Sequence, residues 1–390
     1  MSDSQDYFAT LTAALREAGI AEPAMIIDIA KLAANVAAVT KIVGHKKHIR
    51  VVVKSIPCAE LIKHVTAGLH THRYMVFNRA MLHETYALDS QADILMGKPL
   101  PVAAAAAYYQ EANPDHPAPQ WLIDTEERLH QYAALADERN LTLRVNFEVD
   151  VGLHRGGFEN PDDLAQALTQ ISPRLRASGL MGYDPQIAKF PVALQPRLLQ
   201  DSKRTYAAMQ EIVQRSIATQ QNPETPTYNT AGSPTFHLHT DNNLVTELAI
   251  GSAFVKPTDF DRDSLTTLSP AAFIATPVLK AIENNAKLGS GLLPSLLRGR
   301  ARASVKNLFI HGGNWQASPV YPPDVKINKI YGHSSNQEAY IAPEYSDIKP
   351  DDWLFFRPHQ SEAILLQFGP LLAFDGQKIV AQWPSFGVST

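Results

Sequence analysis

A short apolar run that ends in a lysine is the clearest local pattern in the chain. Residues 51–53 are three consecutive valines, and Lys54 follows them directly, ahead of Pro57. Such a run predicts a strand that is buried on both faces and ends at Lys54. Because lysine is rarely buried, two interpretations are open. Either the strand reaches solvent there, or Lys54 is a partly desolvated amine that can form a Schiff base with an aldehyde.

The same pattern recurs along the first two thirds of the chain, where short apolar runs alternate with helical stretches. A helix over 7–19 and a strand over 24–29 come first. Eight further strands are then predicted, over 49–54, 73–77, 92–96, 120–123, 142–149, 178–183, 226–231 and 245–250. Eight strands separated by helices predict an α/β fold, a (β/α)8 TIM-type barrel of parallel strands. A doubly wound open sheet is the alternative.

After about residue 265 the pattern changes to strands and turns with little helix. Strands are predicted over 272–282, 308–311, 325–331, 338–341, 353–357 and 364–374, with an insertion over 288–303. Asp375 and Gly376 stand between two apolar arms, which is a strong hairpin signal. We therefore expect a barrel domain over 20–265 and a C-terminal β-rich domain over 266–390, joined by residues 1–19.

Composition narrows the class of protein. The chain has 390 residues, 45% of them hydrophobic and 19% charged, with a net charge of -4. No basic excess indicates binding to nucleic acid or to a membrane surface. The single cysteine, Cys58, excludes a disulfide framework within the chain. The acidic start lacks signal-peptide character and no apolar run reaches spanning length, so we expect a cytoplasmic protein.

Candidate chemistry lies at the predicted carboxyl ends of the strands, where parallel barrels place their active residues. Lys54 ends the first strand. The glycine-rich segment 150–158, with Arg155, follows the fifth, and Tyr183 follows the sixth. The last two strands are followed by small or hydroxylic residues able to bind a phosphate, namely Gly232, Ser233, Thr235, Gly251 and Ser252.

These motifs together resemble a known family. Segment 150–158 is similar to the Asp-x-Gly-x-x-Arg-x-Gly-Phe stretch of the fold-type III, alanine racemase-like pyridoxal phosphate enzymes. The resemblance is closest to the branch of D-threonine aldolase and D-serine dehydratase. There, a strand like 25–28 precedes the cofactor lysine and a phosphate loop like 232–235 follows. The C-terminal Asp351-Asp352 and segment 358–361 extend the resemblance over about residues 23–383.

The resemblance implies a role for each residue at the strand ends. Lys54 would hold pyridoxal 5'-phosphate as a Schiff base and act at the substrate Cα. Arg155 would lie near the phenolic oxygen of the cofactor, unless it only forms a salt bridge with Glu148 or Asp150. Tyr183 would stand beside the cofactor ring, unless it only packs in the barrel. The small residues after the last two strands would bind the phosphate, unless they form ordinary turns.

The metal position departs from the family. Family members bind a divalent ion, Zn or Mn, through a histidine and a cysteine or aspartate two residues later. Here these positions are His359 and Ser361, and a neutral hydroxyl is a poor ligand beside a thiolate or carboxylate. Segment 334–338 also lacks a histidine usual in the family. The ion is therefore weakly held, or lost, or held with help from other side chains, the candidates being Glu362, Glu338 and His333.

The resemblance thus predicts a lyase that acts on a D-configured β-hydroxy amino acid, by retro-aldol cleavage or by dehydration. An amino-acid racemase is the alternative within this fold, because racemisation does not need the metal. A pyridoxal phosphate-binding protein without turnover is the third hypothesis. The resemblance also implies a homodimer. His237 and His239 alternate and could chelate a metal, although histidines are common in loops.

Overall fold

In the computed structural model, which describes residues 2–221, 223–283 and 305–387, helices and strands alternate through the first 250 residues. They are α1 (Ser2–Glu17), β1 (Ala24–Asp28), α2 (Ile29–Val43), β2 (His48–Val52), α3 (Ala59–Leu69), β3 (Arg73–Val76), α4 (Arg79–Leu88), β4 (Asp93–Met96), α5 (Val102–Glu111), β5 (Gln120–Ile123), α6 (Glu126–Glu138), β6 (Leu143–Val149), α7 (Pro161–Thr169), β7 (Leu175–Gly182), α8 (Gln195–Ala218), β8 (Thr227–Thr230) and β9 (Glu247–Ile250).

Strands β2 to β9 close into a parallel barrel, which confirms the predicted fold class. The closing contact is the parallel pairing of β2 with β9, in which Ile49 lies opposite Leu248. The alternative of an open sheet is therefore wrong. One predicted boundary also moves: β2 ends at Val52, and Val53–Ser55 forms a short 3-10 turn, in which Ile56 N–H donates to the Val53 carbonyl at 3.1 Å.

Polar residues at the helix starts explain where several helices begin. The side chain of Asn78 accepts a hydrogen bond from Met81 N–H at the start of α4, and Thr125 accepts one from Arg128 N–H at the start of α6. Such caps satisfy backbone donors that have no partner within the helix. None of the helices in the described parts of the chain is long and apolar enough to cross a membrane.

The remaining elements are mostly strands of a β-rich sheet, as predicted, with one short helix. They are β10 (Ala272–Glu283), β11 (Val305–Ile310), β12 (Ala317–Tyr321), β13 (Lys326–Ile327), β14 (Ala339–Pro343), β15 (Trp353–Pro358), α9 (Glu362–Leu365), β16 (Leu371–Phe374) and β17 (Ile379–Trp383). The sheet runs β13-β14-β11-β10-β1-β16-β17, with β15 on β10 and β12 on β15. Its core includes side chains of α1 such as Phe8 and Leu15, packed with Phe355 and Phe374.

Two predictions in this part are resolved by local structure. The Asp375-Gly376 hairpin is confirmed: β16 and β17 pair antiparallel, and the Asp375 carboxylate accepts hydrogen bonds from two backbone N–H groups of the turn. The predicted strand 364–374 is wrong in its first half, because that half contains the end of α9 and a turn. The predicted insertion 288–303 lies outside the described residues.

Contacts divide the chain into two compact units. The barrel unit contains Leu32–Phe254, Phe260–Ser269 and Ser385–Thr390. The sheet unit contains Met1–Lys31, Val255–Asp259 and Pro270–Pro384. The single boundary between residues 265 and 266 stays a prediction.

The barrel encloses a buried ion network at the amino-terminal ends of its strands. Arg50 of β2 is fully buried, and its Nη2 lies 2.8 Å from a carboxylate oxygen of Glu247 on β9 and 2.8 Å from one of Asp93 on β4. Its Nη1 donates to the Tyr74 and Asp93 carbonyls, and its Nε donates to Glu247. Burial alone would raise the pKa of Asp93, but Arg50 beside it lowers that pKa to about 2.

Replacing the buried guanidinium is expected to destabilise the barrel strongly. Arg50→Met removes the fully buried cation of the network and leaves its two carboxylates to more weakly placed partners. Glu247 keeps Arg73 and Asn229, and Asp93 keeps Arg73, Arg144 and Gln120. The loss should cost about 3 kcal/mol of unfolding free energy. The matched control, Arg204→Met, removes an exposed pair on α8 and should cost less than about 1 kcal/mol. Urea denaturation followed by circular dichroism measures both, and equal losses in the two variants would contradict a structural role for the network.

Candidate active site

Lys54 lies at the carboxyl end of β2, in the 3-10 turn that follows the strand. Its side chain is half-buried, and its Nζ lies 4.5 Å from the centroid of the Phe77 ring, which follows β3. A cation at this distance from an aromatic face is attracted by the ring. The amine is thus held against the barrel mouth rather than extended into solvent.

The loops after β8 and β9 are bound to each other next to this turn. A Cβ added to Gly251 would lie 2.7 Å from the Cβ of Ser55, so only glycine lets the loop after β9 approach the Lys54 turn this closely. Gly251 N–H and Ala253 N–H donate to the Ser233 hydroxyl oxygen at 3.0 and 3.1 Å, and Ser252 lies buried between them. Since both bonds use the Ser233 oxygen as acceptor, its hydrogen can be donated to a ligand.

Tyr183, directly after β7, connects the same loop to Arg155. A Cβ added to Gly232 would lie 2.6 Å from the Cε2 atom of Tyr183, so the ring packs directly on the glycine backbone. The Cζ atom of Arg155 lies 5.0 Å from the centroid of the Tyr183 ring. Arg155 therefore makes a cation–π contact with the Tyr183 ring, whereas the Asp150 carboxylate is bound by His154 at 3.0 Å.

The structure gives Thr235 a different contact from the one expected. Its hydroxyl donates to the Asp184 carboxylate at 2.8 Å, and its N–H donates to the Gly232 carbonyl at 3.0 Å. A hydroxyl has one hydrogen to donate. In this arrangement the side chain of Thr235 holds the loop, and it can donate to a phosphate only if the bond to Asp184 is exchanged.

The glycine-rich segment after β6 folds back on its own strand. Phe158 N–H donates to the Glu148 carbonyl at 2.9 Å, and Asp150 N–H donates to the Phe158 carbonyl at 3.0 Å. Gly157 has a φ of +97°, and a Cβ there would lie 3.0 Å from the Glu148 carbonyl oxygen. Glycine is therefore required for the return that brings Arg155 over the barrel mouth.

Sequence reasoning missed Glu148 as a candidate functional residue. Burial raises its pKa to about 7, with Asp124 and Asp150 adding to the rise and Arg155 opposing it. Glu148 shares one face of β6 with Arg144 and Asn146, and Asn146 hydrogen-bonds to Gln120 in the barrel interior. The alternation of polar residues at positions 144, 146 and 148 was the available signal. A carboxyl group that titrates near neutral pH is suited to general acid–base catalysis.

The residues predicted to bind a metal do not form a good donor set. The His359 Nε2 atom lies 2.8 Å from the Ser318 hydroxyl, and Ser361 is buried. Glu338, considered as a helper, accepts hydrogen bonds from His333, Tyr340 and Asn314 N–H. An imidazole with neutral hydroxyls fits Zn²⁺ or Mn²⁺ poorly. Within the described residues, the one set of three or more imidazole, thiol or carboxylate groups close enough to share an ion is Asp150, His154 and Glu159.

Comparison with known proteins places the fold. The model of the alanine racemase N-terminal domain matches residues 27–258. D-threonine aldolase from Filomicrobium marinum is similar with a TM-score of 0.73 at 15% identity, covering 93% of this chain and 96% of that one. D-threo-3-hydroxyaspartate dehydratase from Delftia sp. HT23 gives 0.70 at 15% identity, covering 93% and 97%.

A third solved structure is alanine racemase from Bartonella henselae with covalently bound pyridoxal phosphate. Its TM-score is 0.64 at 17% identity, and the match covers 87% of this chain and 92% of that one. No curated protein matches the sequence. At these identities, the likeness to the solved structures shows the fold.

The raised pKa of Glu148 predicts a stability loss as pH rises. The folded protein keeps the proton up to about pH 7, whereas the unfolded chain releases it near 4.5. Relative to Glu148→Gln, wild type should therefore lose roughly 3 kcal/mol of unfolding free energy between these values, with no further change above pH 7. Urea denaturation at a series of pH values measures this. Glu211→Gln, at an exposed position of α8, is the control, and a wild-type curve parallel to that of Glu148→Gln would refute the assignment.

Proposed function

Because the chain belongs to the alanine racemase N-terminal domain family, we propose that it is a pyridoxal 5'-phosphate-dependent lyase. Its substrate is a D-configured β-hydroxy amino acid, cleaved by a retro-aldol reaction or dehydrated. A homodimer is part of the same proposal. The observation that carries it is the continuous set of contacts at the barrel mouth, which joins Lys54 and its turn to the loops after β7, β8 and β9.

The residues at the mouth fit this cofactor. Lys54 supplies a half-buried amine at a strand end. The Ser233 hydroxyl supplies a donor on a loop whose position is set by close packing at Gly232 and Gly251. Arg155 supplies a permanent cation at the mouth. When bound, the cofactor withdraws electrons from the Cα of an amino acid and so weakens the bonds to that atom.

Each side chain then has one task. Lys54 holds the cofactor and accepts or donates a proton at Cα. Arg155 stabilises negative charge near the cofactor, and the Tyr183 ring supports both Arg155 and the Gly232 backbone. Glu148, whose pKa is raised to about 7 by burial, can give or take a further proton near neutral pH. No step is assigned to a metal, because His359 and Ser361 are a poor donor set.

That donor set also favours a second candidate, an amino-acid racemase. Proton exchange at Cα requires only suitable acids and bases, whereas departure of a β-hydroxyl group is helped by a cation. Ser361 stands where the family has an anionic ligand. A protein that binds the cofactor without turnover is the third candidate.

Cofactor binding is tested by spectroscopy. Wild type mixed with pyridoxal 5'-phosphate and dialysed should retain a visible absorbance band, and Lys54→Ala should lose it because Lys54 is the amine proposed to bind the aldehyde. Lys63→Ala, at an exposed lysine of α3 paired with Glu60, should keep the band. Absence of the band in wild type would refute the cofactor assignment.

The reaction is tested with a panel of D- and L-amino acids, with and without chelator. D-threonine, D-serine or D-threo-3-hydroxyaspartate should yield an aldehyde or a keto acid, at a rate that chelator does not change. Inversion of alanine or serine without such products would favour the racemase instead. Tight cofactor binding with no turnover across the panel would favour the binding protein.

A further inference from the structure

A buried carboxylate connects the two loops that carry Tyr183 and Ser233. Asp184 follows Tyr183 directly, and its side chain is fully buried in the barrel unit. One oxygen accepts the Thr235 hydroxyl at 2.8 Å. The other lies 2.8 Å from Nε2 of His239 and 3.4 Å from the Ser202 hydroxyl of α8. A buried carboxylate requires such donors, because burial removes its hydration.

The hydrogen bonds of His239 fix its orientation. His239 is buried, and Asn242 Nδ2 lies 3.1 Å from its Nδ1 atom. The Asn242 amide is oriented by its oxygen, which accepts Leu244 N–H at 3.2 Å. Because an amide nitrogen only donates, Nδ1 of His239 is the acceptor and Nε2 carries the hydrogen that Asp184 accepts.

The network sets the position of both loops at once. Thr235 lies three residues after Gly232, and its N–H donates to the Gly232 carbonyl, so fixing the Thr235 hydroxyl fixes the turn that presents Ser233. Ala231, which precedes this turn, has a φ of +68°. A non-glycine residue keeps this conformation only where surrounding contacts impose it. Asp184 also fixes the backbone next to Tyr183, whose ring packs on Gly232.

We propose that Asp184, oriented by His239, is a positioning residue that holds the loop 231–235 for the phosphate of the cofactor. This inference rests on the proposed function and extends it. Asp184 does not touch the ligand. It acts through Thr235, whose hydroxyl is committed to the carboxylate, and leaves phosphate binding to Ser233 and the loop backbone.

The phosphate itself provides the test. Pyridoxal 5'-phosphate and pyridoxal share the ring and the aldehyde and differ only in the phosphate, so the ratio of their dissociation constants reports on the loop. Wild type should bind the phosphorylated form more tightly. Asp184→Asn and His239→Leu should each reduce this preference about tenfold, the effect of losing a hydrogen bond to a charged group, and leave affinity for pyridoxal unchanged. Both constants come from spectroscopic titration.

Matched variants separate positioning from general damage. His239→Gln keeps a donor toward Asp184 and Thr235→Ser keeps the hydroxyl, so both should retain the preference. Thr235→Val has the same shape but lacks the hydroxyl, so it should lose the preference for the phosphorylated form. This variant tests the inference even if the Asp184 variants do not fold. Asp241→Asn, at an exposed position between β8 and β9 but outside the loop 231–235, should show the wild-type preference.

Two results would overturn the inference. A full preference for the phosphorylated form in folded Thr235→Val, or in folded Asp184→Asn, would show that the loop does not need the carboxylate. Equal losses of affinity for both forms would show general damage to the site. A wild type that binds neither form would instead refute the proposed function, and this inference with it.

Discussion

The barrel depends on the neutralisation of one buried guanidinium. Arg50 lies on the strand that starts the barrel, and its partners lie on the strand that closes it and on β4. Its hydrogen bonds go to carboxylates or carbonyls of β3, β4 and β9, so the buried charge is satisfied only when these strands are assembled around it. Because this network lies at the amino-terminal ends of the strands, the opposite mouth is left for other chemistry.

At the barrel mouth, glycines allow the loops to approach closely, and hydrogen bonds from hydroxyl groups fix the loops in place. Glycines at 232 and 251 allow loops to approach side chains that any Cβ would exclude. Hydroxyl groups then fix the approach: Ser233 binds the loop after β9, and Thr235 binds the end of β7 through Asp184. Of the two, the geometry leaves Ser233 with a hydrogen to donate outward. The loop 231–235 is therefore anchored on both sides before any ligand arrives, which limits the ordering cost of binding.

Much of this could be predicted from the sequence, because it depends on local patterns. Strand and helix alternation indicated the barrel, and the order of motifs indicated the family. The contacts that position the site could not be predicted, since they join distant residues: Asp184 contacts His239, which lies 55 positions later in the chain. Arg50 was predicted only as part of an apolar strand, because hydrophobic periodicity does not reveal a buried ion pair. The strand predicted over 364–374 was wrong in its first half, because the last residues of the short helix α9 are as apolar as those of the strand β16.

His359 in the sheet unit and Glu148 in the barrel unit differ in the chemistry they offer to the proposed reaction. The donors at His359 and Ser361 are neutral, so they offer little to a divalent cation. Glu148 is a carboxyl group whose pKa is raised by burial into the range where it can exchange protons at neutral pH. The neutral donors therefore give little support to activation of a hydroxyl by a Lewis acid, whereas Glu148 is suited to proton transfer by a side chain. In the proposed lyase, departure of the β-hydroxyl or cleavage of the Cα–Cβ bond must then be assisted by protonation or deprotonation of that hydroxyl by a side chain, and this distinguishes the chain from a relative that holds a metal.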